Sequence, residues 1–328
     1  MINSRRSVLL ACTSLVALIG SPSLHAQQGF PTKPVTIVVP YGAGGGADFF
    51  ARTIAPKMSE KLGQPVIVEN KPGGGSAIAA SDVARSAPDG HRLLMGDLST
   101  FSTNQFLYKK LSYDPTRDFT SITLTGRTPY ILVVNPTVHP AKKMEDFVAA
   151  IRKAPAETFN YASAGMGGPA HLTAVMFERA AGVKMVHIAY KGSAPAVPDL
   201  LSGQVGMIFT VYASAKPHLA AGRIYAIGTG APKAQPELPN VTPIGATLPG
   251  FESWFWMGMV APKGTPAPVI DNIRDAYAAA VNDPLIRQKL IDSGNEPLLT
   301  STAEMDTYVR SESTRMGKII KESQIEMD

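Results

Sequence analysis

The feature that most restricts the fold is a unit of strand, glycine loop and helix that occurs once in each half of the chain. Val35 to Val39 is a β-branched run that predicts a buried strand ended by Pro40, and the glycine-rich segment Tyr41 to Asp48 follows. Beyond it Phe50, Ile54, Met58 and Leu62 recur every four residues, one apolar helical stripe closed by Gly63. The second unit runs from a strand at Thr158 to Ser163, through Ala164-Gly165-Met166-Gly167-Gly168, to a helix opened by Pro169 and closed by Gly182. Such a loop presents backbone N–H groups at the positive end of a helix dipole, which suits an anion. Glycine also leaves the backbone open to close approach.

The rest of the chain continues the alternation. Strands are predicted at Arg92 to Met95, Ile131 to Val134, Lys184 to Tyr190, Gln204 to Thr210, Ile224 to Thr229 and Trp254 to Val260, with a helix at Met144 to Lys153. Near the C-terminus Thr265-Pro266 and Asp283-Pro284 read as N-cap and N1 pairs, and Ser301 with Glu304 as a capping box. This pattern predicts an α/β fold with largely parallel sheets. A length of 328 residues favours two domains.

The N-terminus points to export. Arg5 and Arg6, the apolar stretch Ser7 to Gly20 and the small residue at the end of Leu24-His25-Ala26 predict a signal peptide over 1–26, removed before Gln27. Ser4-Arg5-Arg6-Ser7-Val8-Leu9 also fits a twin-arginine signal, and Leu9-Leu10-Ala11-Cys12 a lipobox. Cleavage before Gln27 removes Cys12, the one cysteine, and with it any disulfide or thiolate chemistry. The net charge of +5 comes from scattered Lys and Arg without an aromatic stripe, so no nucleic-acid partner is expected.

The first glycine loop has a second reading. Gly42, Gly44 and Ala47 satisfy the dinucleotide pattern, and Glu69 lies at the end of the next strand where a ribose-binding acid would stand, which makes an exported nucleotide-dependent oxidoreductase the rival class. Against it stand Pro40, which ends the strand early, and export to a compartment poor in nucleotides. No Walker A loop, His-Glu-x-x-His metal motif or Gly-x-Ser-x-Gly elbow is present. Of the histidines, His171 is the one placed beside a loop, as a ligand contact or as a packing group.

At these residues the chain resembles a known family, the extracytoplasmic solute receptors of the tripartite tricarboxylate transporter system, or Bug family. The likeness runs through Phe30-Pro31-Thr32-Lys33-Pro34, Gly44-Gly45-Gly46-Ala47-Asp48, Leu62-Gly63-Gln64-Pro65 and Asn70-Lys71-Pro72-Gly73. It continues in Tyr161-Ala162-Ser163, His171-Leu172, Tyr190-Lys191-Gly192 and Ala261-Pro262-Lys263-Gly264-Thr265-Pro266. The resemblance implies a two-domain clamshell of the type II periplasmic binding protein kind, each domain a mixed, mostly parallel sheet flanked by helices. Residues 27–127 and 253–328 would form domain 1, and 128–252 domain 2. It implies a periplasmic monomer without enzymatic activity, cofactor or metal. This protein would hold a small aliphatic or aromatic carboxylate between its lobes and deliver it to a membrane permease. The implied ligand-binding residues are Tyr41, Ala43, Gly45 and Asp48 from the first loop, with Ser99, Thr100 and Asn104 beside it. Ser163, Gly165, Gly168 and His171 would form the domain 2 side. Asp48 is equally suited to cap its own helix. Tyr190, Lys191 and Asp199 are weaker candidates, and Phe49-Phe50 raises the aromatic option.

Overall fold

The computed structural model describes residues 29–190, 193–325 and 327. The expected signal peptide and Lys191 lie outside the described residues.

The chain first builds one lobe. Strand β1 (Val35–Val39) leads through the first glycine loop into helix α1 (Gly46–Leu62), then β2 (Val66–Asn70), α2 (Ala77–Ala84) and β3 (Arg92–Asp97). A buried π-helical turn at Ser99–Thr103 and the short helix α3 (Asn104–Leu107) precede β4 (Phe119–Val134). The second lobe follows as α4 (Met144–Lys153), β5 (Asn160–Ser163), α5 (Pro169–Ala181), β6 (Val186–Ala189), α6 (Ser193–Ser202), β7 (Met207–Val211), α7 (Tyr212–Ala220), β8 (Tyr225–Thr229) and α8 (Ile244–Thr247). Strand β9 (Trp254–Pro262) returns to the first lobe, which ends with α9 (Ala267–Val281), α10 (Pro284–Asp292), β10 (Glu296–Pro297) and α11 (Thr302–Ser323).

The strands join in the order β2-β1-β3-β9-β4-β7-β5-β6, with β8 and β10 also on β4. Pairing is parallel where strand, loop and helix units supply the neighbours: β1 with β2 and β3, β5 with β6 and β7. It is antiparallel around β4 and β9, the strands that run between the lobes, so the parallel share is smaller than the pattern suggested. Strand β4 changes company along its length. Its residues Phe119 to Pro129 lie on β9, and Tyr130 to Val134 lie between β7 and β8.

Side-chain alternation gives each lobe a core on both faces of its sheet. In the first lobe Ile37 and Val39 point toward Phe50, Ile54, Met58 and Tyr277, while Val38 points toward Leu94, Trp256 and Met305. The second lobe divides Leu132 and Val134 from Ile131 and Val133 in the same way. Phe255 on β9 packs against a core cluster of each lobe. Capping follows the sequence at Asp283, whose carboxylate accepts from Leu285 N–H at 3.0 Å, and at the Ser301–Glu304 box. It fails at Thr265. That hydroxyl donates to the Pro262 carbonyl at 2.8 Å, and the helix starts one residue later than expected, with Pro266 as N-cap.

Candidate functional site

Both glycine loops stand at the carboxyl ends of parallel strands, the edge where open α/β sheets bind ligands. The first loop leaves β1 with Gly42, Ala43 and Gly44 exposed. Gly44 has φ +83°, a conformation that favours glycine, and Gly45 is the N-cap of α1. With no side chain at that position, nothing caps the helix from within, so its first amides stay available. The second loop repeats the arrangement, with Gly168 as the uncapped N-cap of α5 and Pro169 at N1.

The surrounding side chains hold these loops in place. Asp48, 3% exposed, accepts from Gly44 N–H, Arg52 Nε and Asn70 Nδ2, each at 2.9 Å. Burial opposes its ionisation, but bonds from Arg52, Gly44 and Asn70 outweigh that and hold the carboxyl below its usual range. Asn70 Nδ2 also donates to the Tyr41 carbonyl at 3.0 Å. Asp48 thus braces the loop from behind through Gly44, and it does not cap α1, whose N-cap Gly45 has no side-chain cap hydrogen bond.

A second network lies under Tyr41. Its hydroxyl donates to Asp97, which is 1% exposed at the end of β3 and also accepts from Thr100 N–H at 3.2 Å and Thr100 Oγ1 at 3.1 Å. Burial pushes the Asp97 carboxyl up, and burial together with Asp97 pushes the Tyr41 phenol well up. Thr100 Oγ1 continues to Ser76 Oγ at 2.9 Å, while Asn104 Nδ2 donates to the Gly75 carbonyl at 2.8 Å and to Tyr113 Oη at 3.1 Å. The hydroxyl and amide groups expected to face the ligand are buried, and they tie the π-helical turn to the loop at Gly75 and Ser76.

In the second lobe Ser163 is fully buried and bonds to Gly165 and His187. His171 Nδ1 accepts Gly167 N–H at 3.0 Å. Tyr190 donates to Asp199 at 2.6 Å, which gives both a packing role. Phe50 is fully buried and Phe49 packs on the same core beneath Lys289, so this pair reports on packing.

Sequence inspection missed Asp97, Asn70 and His187 as supports. Only the third had a visible signal, since a histidine in a strand parallel to Tyr161-Ala162-Ser163 must lie beside one of them. The dinucleotide reading meets two obstacles. The Gly44 amide is already bound by Asp48, and Glu69 is held by Arg92 at 2.9 Å and by Lys71.

Comparison with known proteins identifies the family and the fold. The model of the tripartite tricarboxylate transporter family receptor matches residues 50–325. The chain belongs to this receptor family. A UPF0065 protein from the tcbD-tcbE intergenic region of a Pseudomonas species is 34% identical over 98% of this chain and 95% of its own length. Two solved receptor-like structures are similar throughout. An R. palustris protein with adipate has a TM-score of 0.83 and 33% identity over 89% of this chain and 97% of its own. MatC from Rhodopseudomonas palustris with bound malate has a TM-score of 0.80 and 32% identity over 89% of this chain and 100% of its own. The receptor fold is thus an α/β clamshell of two lobes, and nothing in these likenesses favours an oxidoreductase.

Proposed function

We propose that this protein is a periplasmic, non-enzymatic receptor that closes its two lobes on a small carboxylate and delivers it to a permease of the tripartite tricarboxylate type. The observation that carries this reading is the pair of uncapped helix N-termini, at Gly45 and Gly168, each approached through a glycine loop. The acidic groups beside the first loop do not spoil it, because Asp48 is paired with Arg52 and Asp97 is buried under Tyr41. Backbone amides of Ala43 and Gly45 on one side, and the uncapped end of α5 at Gly168 on the other, would hold the carboxylate, while Gly165, whose N–H is taken by Ser163 Oγ, would shape the second loop. Tyr41 and Ser99 would form the adjoining wall. Thr100, Asn104, Ser163, Asp48 and His171 would keep these donors in position.

The lobes are assigned to 27–127 with 253–328 and to 128–252, with the hinge where β4 leaves β9. Export would follow from the signal peptide, and the receptor would act as a monomer. Adipate and malate, the ligands of the two similar structures, make dicarboxylates the first class to test.

A thermal-shift screen of mono-, di- and tricarboxylates, aromatic acids and NAD(P) is the direct check. A ligand at 100 times its Kd stabilises by about 2.7 kcal/mol, a readily measured shift. We expect the shift from an aliphatic or aromatic carboxylate. Stabilisation by NAD(P) and by no acid would overturn the receptor reading.

A further inference from the structure

Two histidines brace the second glycine loop. His171, on the first turn of α5 and 5% exposed, accepts Gly167 N–H through Nδ1 at 3.0 Å. A nitrogen that accepts carries no proton, so His171 is neutral with its hydrogen on Nε2. His187, on the edge strand β6, pairs in register with Tyr161 and stacks on His171 with ring centroids 3.9 Å apart.

Its Nε2 lies 2.7 Å from Ser163 Oγ, which also contacts the Gly165 carbonyl at 2.9 Å and Gly165 N–H at 3.2 Å. A serine hydroxyl has one proton. All three contacts are satisfied only when that proton goes to the Gly165 carbonyl and His187 donates from Nε2. His187 Nδ1, buried and without a hydrogen-bond partner among the described residues, is then a bare lone pair.

We infer that the stacked His171–His187 pair positions the carboxylate-binding loop, and that both rings must be neutral in the Nε2–H tautomer for Gly165 and Gly167 to hold their places. This rests on the receptor reading only for what the loop binds; the coupling of ring to loop stands without ligand.

Protonation breaks the arrangement. A proton on His171 Nδ1 would face Gly167 N–H, donor against donor, and the amide would have to leave. A proton on His187 Nδ1 would be a buried donor without an acceptor, stacked on the other ring. The groups around the pair do not compensate. Tyr161 on β5 stacks on both rings. Beyond His171 lies a cavity of about 810 Å³ whose charged lining is balanced: Arg152, Arg179 and Lys184 against Glu157, Glu178 and Glu322. Of these, Glu178 accepts Met185 N–H at 2.6 Å and Arg179 is paired with Glu322. Burial, and then His187, push His171 down to about 3, and burial also lowers His187. The released loop, with a histidine titrating near its ordinary value of about 6.5, takes up the proton, so release grows about tenfold per pH unit below that value.

The test is NMR of the ligand-free protein, which reads imidazole tautomers and amide exchange, followed by adipate titration. We expect Nε2–H on both histidines at pH 7.5, and Gly167 protection that falls about tenfold by pH 5.5. His171→Asn restores an acceptor oxygen without titrating, so it should keep the protection and lose the part of its pH dependence that His171 carries, leaving only that of His187. His171→Phe should lose the protection and weaken adipate binding at least tenfold. A proton on His171 Nδ1, pH-independent Gly167 protection in the wild type, or a His171→Asn variant that keeps the wild-type pH dependence overturns the inference. If His171→Phe fails to fold, the wild-type and His171→Asn measurements decide it. If the loop behaves as expected while no carboxylate binds, the receptor reading fails and the positioning role stands.

Discussion

At Asp48 a single buried carboxylate closes three hydrogen bonds, and two of its donors lie on other segments of the lobe, the loop at Gly44 and strand β2 at Asn70. An anion this close to the proposed carboxylate site is tolerable only because those bonds are satisfied internally. Asp48→Asn would turn one acceptor oxygen into a donor facing a donor, a loss of about 1–3 kcal/mol. The pH dependence has a definite sign. The folded carboxyl titrates below its ordinary value, so its contribution is complete above about pH 4 and is lost as pH falls through the lower folded value. Urea denaturation at pH 7 and pH 3 checks this: Asp48→Asn should be less stable at pH 7 and lose less on acidification. An acid-induced loss equal to the wild type would remove Asp48 from the account.

The helix that starts at Gly45 trades some stability for an open end. Gly45 has φ −78° and ψ 170°, an ordinary N-cap geometry, and a Cβ there would meet only the Gly42 carbonyl at 3.6 Å. Gly45→Asp is therefore compatible with the fold, and its carboxylate would cap α1, stabilising it by a few tenths to about 1 kcal/mol. The same carboxylate would occupy the place of the ligand. We expect a melting temperature at or above wild type and adipate affinity reduced at least tenfold by calorimetry; undiminished affinity would place the carboxylate elsewhere. Both loops were legible because the strand, the glycines and the helix stripe are neighbours in sequence. Strand β4 was recognised only at Ile131 to Val134, because Phe119 to Pro129, despite four Thr, is broken by Ser121, Gly126, Arg127 and Pro129 and has no continuous apolar run; it is a strand through its pairing with β9. The bracing of Tyr41 by Asp97 and of Ser163 by His187 joins residues 56 and 24 positions apart, a pairing set by strand register.

The two lobes are joined where β4 and β9 pass between them, and Gly230 locks that passage. Its N–H donates to the Tyr130 carbonyl at 2.7 Å and its carbonyl accepts from Ser253 N–H at 3.1 Å, while Tyr130 N–H donates to the Ser253 carbonyl at 3.2 Å. Phe255 adds an apolar contact to both lobes at the same level, with Tyr41 and Tyr130 edge-on to its ring. The closure proposed above would bend the chain here without separating it. A Cβ on Gly230 would press into the Ser253 carbonyl and stand 3.1 Å from that of Tyr130, both backbone atoms that cannot swing aside. Gly230→Ala should therefore pry the two passages apart and cost more than about 2 kcal/mol in urea denaturation. Gly222→Ala is the control: its φ of +65° is strained for alanine, but nothing lies within 4 Å of the added Cβ, so it should cost about 1 kcal/mol. Equal losses from the two would mean that the contacts at Gly230 cost no more to disturb than a strained φ at an open position, and that the passage at Gly230 does not hold the lobes together.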